Sequence, residues 1–266
     1  MEKTYEEYEL WRRGEGAECN EDPKLLSDAY NNALTKLQTL LPFEDKLRSA
    51  QNKVEELDIY KTYLNFEKQK GDPGRITVLY ERAIADLSLE PTIWLDYIGY
   101  VQSNLKIDDI TEKLYGRAIK NVPWCVEIWQ KYLIYNEKRN KPLTDMQTLM
   151  EDALSIGFAS SEDYKNLWMC YLVYLRRYYY QAEDESKSLK ILQNNFNKAC
   201  DHLATFGLEG DPNCEILQFW ARVEAIHVGD MEKARLLWAD IMSQGHSETA
   251  SSWLELISLE RFVIQY

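Results

Sequence analysis

Ile93-Trp94-Leu95-Asp96-Tyr97, Ile128-Trp129-Gln130-Lys131-Tyr132 and Leu167-Trp168-Met169-Cys170-Tyr171 are one phrase written three times. Tyr60-Lys-Thr-Tyr63 precedes them, and Trp220-Ala-Arg-Val223 and Trp253-Leu-Glu-Leu256 follow. Trp94 and Trp129 lie 35 residues apart, and a period of that size is the signature of stacked supersecondary units. A spacing of three sets both aromatic rings on one helix face. Each phrase is therefore expected to open a helix A whose aromatic side packs into the array.

A second phrase answers the first. Tyr80-Glu-Arg-Ala83, Tyr115-Gly-Arg-Ala118, Met150-Glu-Asp-Ala153 and Phe196-Asn-Lys-Ala199 share a large apolar residue, two polar residues and an alanine. Tyr30-Asn-Asn-Ala33 fits the same pattern, and Trp238-Ala-Asp-Ile241 is a degenerate copy. The alanines at 33, 83, 118, 153 and 199 are spaced 50, 35, 35 and 46 residues, so insertions separate some units. This phrase belongs to a helix B, where a small side chain lets a neighbouring backbone approach to about 8–10 Å. The predicted core is Tyr60, Tyr63, Trp94, Tyr97, Trp129, Tyr132, Trp168, Tyr171 and Trp220, with Ala83, Ala118, Ala153 and Ala199.

The turns between helices have their own chemistry. In Gly71-Asp72-Pro73, glycine ends helix A in a left-handed conformation, Asp72 caps helix B and Pro73 takes its first position. Gly229-Asp230 repeats that turn. Gly210-Asp211-Pro212 precedes a helix A and links repeats, and Pro91 and Pro123 are expected to open the next helix. The polar stretch 177–188 is expected to lengthen one turn. Gly14-Glu-Gly16 reads as a lone turn.

Together these signals predict an all-α, right-handed superhelical solenoid of seven A helices and six B helices. Its repeats are expected at about 1–45, 46–88, 89–123, 124–158, 159–210, 211–246 and a half repeat at 247–266. The chain stops after a helix A with no helix B, as a fragment of a longer array would.

Composition narrows the function. The 266 residues have net charge −13, with 44 acidic against 31 basic groups. Gripping RNA or DNA requires a positive stripe that displaces counterions, so a direct nucleic-acid role is disfavoured. No apolar run approaches the ~20 residues that cross a bilayer, and no membrane association is expected. Cysteines 19, 125, 170, 200 and 214 are odd in number and scattered, the usage of a reducing compartment. Only His202, His227 and His246 occur, none spaced with another histidine or a cysteine as metal ligands are. No phosphate-cradling glycine loop or nucleophile elbow is present. Neither catalysis nor a cofactor is expected.

Tyr60, Tyr63 and Glu67, followed by Tyr80-Glu-Arg-Ala83, resemble the half-a-tetratricopeptide (HAT) repeat of RNA-processing factors. Glu67, Glu137 and Glu260 fill the acidic position of helix A, Glu137 one residue late, while the Trp94 and Trp168 units lack it. Several longer runs resemble the HAT arrays of U4/U6 snRNP recycling factors. They are Gly71-Asp-Pro-Gly-Arg-Ile76, Asn121-Val-Pro-Trp-Cys-Val-Glu-Ile-Trp129, Leu175-Arg-Arg177, Gly210-Asp-Pro-Asn-Cys214 and Ala234-Arg-Leu-Leu-Trp-Ala-Asp-Ile241. The resemblance implies a nuclear, non-catalytic scaffold that supports U4/U6 reassembly. It implies contacts with snRNP and splicing proteins, and with the DUSP and ubiquitin-like domains of ubiquitin-specific proteases. It also implies a homodimer through the C-terminal repeats, with RNA reached only indirectly.

Two surfaces stand out as candidates. Arg176, Arg177, Tyr178, Tyr179 and Tyr180 combine residue types favoured at hot spots and at single-stranded RNA stacking sites. Trp253, Leu256, Leu259 and Phe262 form the apolar stripe of the last helix and are the expected self-association face. A HAT scaffold of 3′-end cleavage or of the core splicing machinery is the alternative within the same repeat class.

Overall fold

The computed structural model describes residues 2–14 and 23–265, and for 2, 13, 23 and 262–265 the backbone alone. Gly16 and Cys19 lie outside the described residues. Thirteen α-helices and no strand occur among the described residues. They are α1 (Glu2–Gly14), α2 (Pro23–Ser49), α3 (Lys53–Lys70), α4 (Pro73–Asp86), α5 (Pro91–Tyr100), α6 (Asp108–Asn121) and α7 (Val126–Lys138). Then come α8 (Leu143–Leu154), α9 (Ser161–Gln181), α10 (Glu185–Ala204), α11 (Glu215–Val223), α12 (Met231–Ser243) and α13 (Ala250–Gln265). The chain resolves into two compact units, 1–88 and 89–266. In the first, α3 packs on α2 and α4; in the second, α5 to α8 and α9 to α12 pack in sequence order and α7 packs on α9, as in an α-solenoid.

The aromatic phrases lie on α3, α5, α7, α9 and α11 and turn inward. Tyr60, Trp94, Tyr97, Trp129, Trp168, Tyr171 and Trp220 are buried, and Tyr132 is half-buried. Ala83, Ala118, Ala153 and Ala199 are wholly enclosed. Helix B rings stack on the second aromatic of the next helix A. Tyr115 lies over Tyr132 at 4.8 Å, and Phe196 over Trp220 at 5.2 Å. That stacking assigns Trp220 to the plus-three slot, with Leu217 in the first slot, which corrects the reading of Trp220-Ala-Arg-Val223 as a leading tryptophan. The first unit needs a similar correction. Phe43 stacks on Tyr63 at 4.8 Å, whereas Tyr30 stacks on Tyr5 of α1 at 4.0 Å. Phe43 thus takes the helix B position next to α3, and Ala33 is only half-buried.

Helix A ends where the backbone turns left-handed. Gly71 (φ 77°) and Gly229 (φ 82°) do so without a Cβ penalty. Lys106 (φ 54°) and Asn140 (φ 52°) occupy the corresponding positions in two other repeats. Asp72 accepts from the amides of Gly74 and Arg75, and Asp230 from that of Lys233. A single π turn adds a residue at the ends of two A helices, over Val101–Leu105 and Glu224–Val228.

Three boundaries differ from expectation. α2 runs on to Ser49, so the first repeat does not end near 45; Lys46 and Arg48 suit its last turn, and Asn52 caps α3. Pro123 precedes α7 by three residues, and its carbonyl accepts from Trp129 Nε1 at 2.8 Å. Residues 177–181 stay helical, so the insertion lengthens α9 and α10 and leaves a turn of only 182–184.

Candidate interaction surface

The acidic position of helix A holds the repeats together by different routes. Glu67 is buried, and Arg75 of α4 grips it bidentately, with Nε to Oε2 at 3.1 Å and Nη2 to Oε1 at 2.8 Å. Arg75 stands four residues after the left-handed Gly71. Lys233 stands four residues after Gly229, and its Nζ lies 2.7 Å from Glu224 Oε1. Trp220 Nε1 and Gln193 Nε2 donate to the same oxygen at 2.8 and 2.9 Å. Glu224 is therefore the acidic residue of the Trp220 unit. The sequence reading missed it because the π turn shifts it by one residue relative to the glycine. The basic residue four places after that glycine was the available signal.

Glu137 works sideways. Its carboxylate takes Arg177 Nε and Nη2 at 2.5 and 2.6 Å, joining α7 to α9. The acidic slot itself holds buried Asn136. Glu260 of α13 reaches back to Arg235 of α12, at 2.6 and 2.8 Å, and that guanidinium holds its carboxyl below the ordinary range. Lys165 of α9, nearly enclosed, meets Glu215 of α11 at 3.0 Å. Such bidentate or partly desolvated pairs set register between helices more than they add stability.

Arg176 to Tyr180 do not share a face. Successive helical residues diverge by about 100°, and each of the five finds a different neighbour. Arg176 lies over the Phe219 ring at 5.8 Å, and Arg177 is taken by Glu137. Tyr178 is half-buried beside Tyr174, and Tyr179 is buried with its hydroxyl donating to Glu185 at 2.8 Å. Tyr180 alone is exposed, and it hydrogen-bonds His227. The segment offers no row of open rings on which bases could stack.

On α13 the described part of the expected stripe divides, with Trp253 exposed and Leu256 and Leu259 turned inward. Leu259 is buried and Leu256 packs partly against the core, because this face meets the preceding repeat. Trp253, Leu254 and Ile257 are exposed at 47%, 64% and 58%. They form an apolar patch rotated from the expected one. The Phe262 side chain lies outside the described residues. Beside the patch is a groove of about 370 Å³ lined by Ile226, Trp238, Leu254 and Leu259 among others.

One internal contact is proton-sensitive. Trp168 Nε1 donates to His202 Nδ1 at 3.0 Å, so this ring must be neutral at Nδ1. Burial pushes the His202 pKa below the ordinary histidine value. Burial and then Arg176 do the same for His227. A depressed histidine contributes stability in full above its unfolded pKa of about 6.5, and loses it as pH falls through the lower folded value. The apparent Tm is therefore expected to fall as pH drops below about 6.5, where the unfolded histidines protonate and the folded ones still resist. His202→Gln should shrink that fall, as read by circular dichroism melts. A variant with the wild-type pH dependence would refute the assignment.

Among the described residues no cluster of three or more His, Cys, Asp or Glu side chains is arranged to hold a metal. No described helix is long and apolar enough to cross a membrane.

Paired helices, left-handed terminators and aromatic-alanine packing define a HAT-repeat α-solenoid. Residues 43–125 match the family model described as PRP39 C-terminal HAT repeat. Across 98% of its length the chain is 38% identical to "Spliceosome associated factor 3, U4/U6 recycling protein" of Homo sapiens, and 37% to that of Mus musculus. It spans 27% of the length of those relatives. "Pre-mRNA-splicing factor cwf4" of Schizosaccharomyces pombe is 27% identical over 54% of the chain and 23% of that protein. The chain is thus homologous, over nearly its whole length, to about a quarter of the U4/U6 recycling proteins.

Proposed function

We propose that this chain is a non-catalytic scaffold segment of a nuclear U4/U6 recycling factor, holding snRNP and splicing proteins and recruiting ubiquitin-specific proteases through their DUSP and ubiquitin-like domains. The observation behind this reading is the near end-to-end similarity to the named recycling proteins, on a fold whose side chains join helices to one another. RNA is reached indirectly. Net charge −13 leaves few phosphates that the chain could neutralise.

The test is affinity capture from nuclear extract with the full chain, read by mass spectrometry. Recovery of splicing proteins and deubiquitinases is the expected result. Recovery of 3′-end processing factors alone would move the assignment to another HAT scaffold. In a parallel titration, single-stranded U6 RNA should bind weakly and dissociate at physiological salt. Tight, salt-resistant RNA binding would overturn the indirect role.

Self-association through the last repeats belongs to the same reading. Contiguous exposed apolar area marks interfaces, and a twofold dimer would bury Trp253, Leu254 and Ile257 of each copy isologously. Light scattering should give twice the monomer mass at tens of micromolar. Leu254→Asp with Ile257→Asp should return it to monomer with the helical signal intact, because both side chains already face solvent. A wild-type chain that stays monomeric would remove the dimer.

A further inference from the structure

One groove opposes the charge of the whole chain. It lies among the π turn 101–105, the start of α6 and the last turns of α7, with a volume of about 660 Å³, within the usual range of ligand pockets. Its lining includes Lys106, Lys131, Lys138 and Arg139 against a single carboxylate, Asp108. Four cations stand against Asp108 and against Glu127, which pairs with Lys131 from outside the lining, and this leaves a local excess of two positive charges on a chain of net −13.

Two of the cations are already engaged. Lys131 meets Glu127 at 3.1 Å, and Arg139 is held by Asp108 at 2.5 Å and by the Tyr135 hydroxyl at 3.2 Å. Both contacts are made by Nη1, which holds the guanidinium at the groove wall. Lys106 and Lys138 are exposed and make no ion pair among the described residues. Lys106 also occupies the left-handed position that glycine fills at 71 and 229. A Cβ is disfavoured there, so backbone preference does not explain a lysine at this place. The floor is rigid: Tyr115 and Tyr135 are buried, and Gln102 Nε2 donates to the Tyr115 hydroxyl at 3.2 Å. Ile134, 39% exposed, adds an apolar contact to the lining.

We infer that this groove docks an acidic peptide segment of a partner protein, with carboxylates on Lys106, Lys138 and Arg139 and an apolar side chain on Ile134. The inference rests on the scaffold reading above and deepens it. A short acidic segment fits better than RNA, because a long polyanion leaving the groove would run along an acidic surface.

The probe is a fluorescent peptide of Glu and Asp residues around one Leu, titrated by anisotropy against the full chain at low salt. A peptide with Gln and Asn in place of the acids is the control. The acidic peptide should bind and the neutral one should not. Lys106→Glu with Lys138→Glu should weaken binding about tenfold or more. Lys187→Glu with Lys190→Glu on α10 changes net charge equally and should leave binding within about twofold. Equal weakening by the two pairs would mean a diffuse field and overturn the groove. So would absence of binding by the acidic peptide, or its displacement by single-stranded RNA at physiological salt. In extract capture, a Lys106→Glu/Lys138→Glu chain that loses some partners supports the groove. One that recovers the full wild-type set overturns the groove and leaves the scaffold intact. The scaffold itself fails only if the wild-type chain recovers no splicing protein.

Discussion

Trp129→Ala should destabilise the chain by about 3–5 kcal/mol, the range for emptying a buried tryptophan site. Trp129 is 3% exposed and belongs to one continuous apolar cluster that includes Leu133, Met150, Trp168 and Leu172. Its Nε1 also satisfies the carbonyl of Pro123, which ties the inter-repeat turn to the helix it precedes. Two losses therefore combine, packing and a hydrogen bond. Trp129→Phe separates them: most of the ring remains, and the missing donor accounts for about 1 kcal/mol. Because repeats stabilise one another through shared interfaces, hydrogen exchange should quicken through α7, α8 and α9 together. Urea and thermal melts provide the magnitude. A Tm unchanged by Trp129→Ala would break the repeat register proposed for this unit.

The second large effect is expected at Glu224. Its side chain is 1% exposed, and three donors from α10, α11 and α12 converge on one carboxylate oxygen. Glu224→Ala leaves the Trp220 N–H and the Gln193 amide without that acceptor. It also leaves Lys233 without its counter-charge. Removing one member of a buried pair costs about 3–5 kcal/mol. Lys233 is itself 31% exposed and can turn to water, so the low end, about 3 kcal/mol, is expected. Glu224→Gln keeps one oxygen acceptor for the three donors while losing the charge and placing an amide nitrogen at the second oxygen, for about 1–2 kcal/mol. Equal losses in the two variants would mean that packing, not acceptance, is the role of Glu224. Restoration of Glu224→Ala by Lys233→Met would show how much of the cost is the stranded ammonium.

Residue spacing made much of this architecture legible. The 35-residue return of Trp-x-x-Tyr and the alternating alanine phrase separate helices A from helices B, since a repeat of that length cannot bury its apolar face alone. Gly71-Asp72-Pro73 and Gly229-Asp230 spelled out their own turns, because left-handed backbone, side-chain capping and a missing N–H are properties of single residues. The Arg176–Tyr180 segment was legible only as composition. Which of its side chains is paired depends on Glu185 across the next turn and on Glu137, Phe219 and His227, all distant in the chain.

The division follows from the range of the forces. Helix identity, turn chemistry and the inward aromatic face are decided within a few residues, so the sequence by itself determined a HAT-type α-solenoid and the aromatic and alanine positions that recur through its core. Tertiary structure decided what depends on rotation and register. A π turn of one extra residue moved Glu224 into the acidic slot and Trp220 into the second aromatic slot. The packing of α13 on the preceding repeat turned Leu259 inward and left Leu254 and Ile257 outside. A one-residue change rotates a helical side chain by about 100°, which exchanges buried for exposed. Which side chains bind partners could be read only once that rotation was set by packing.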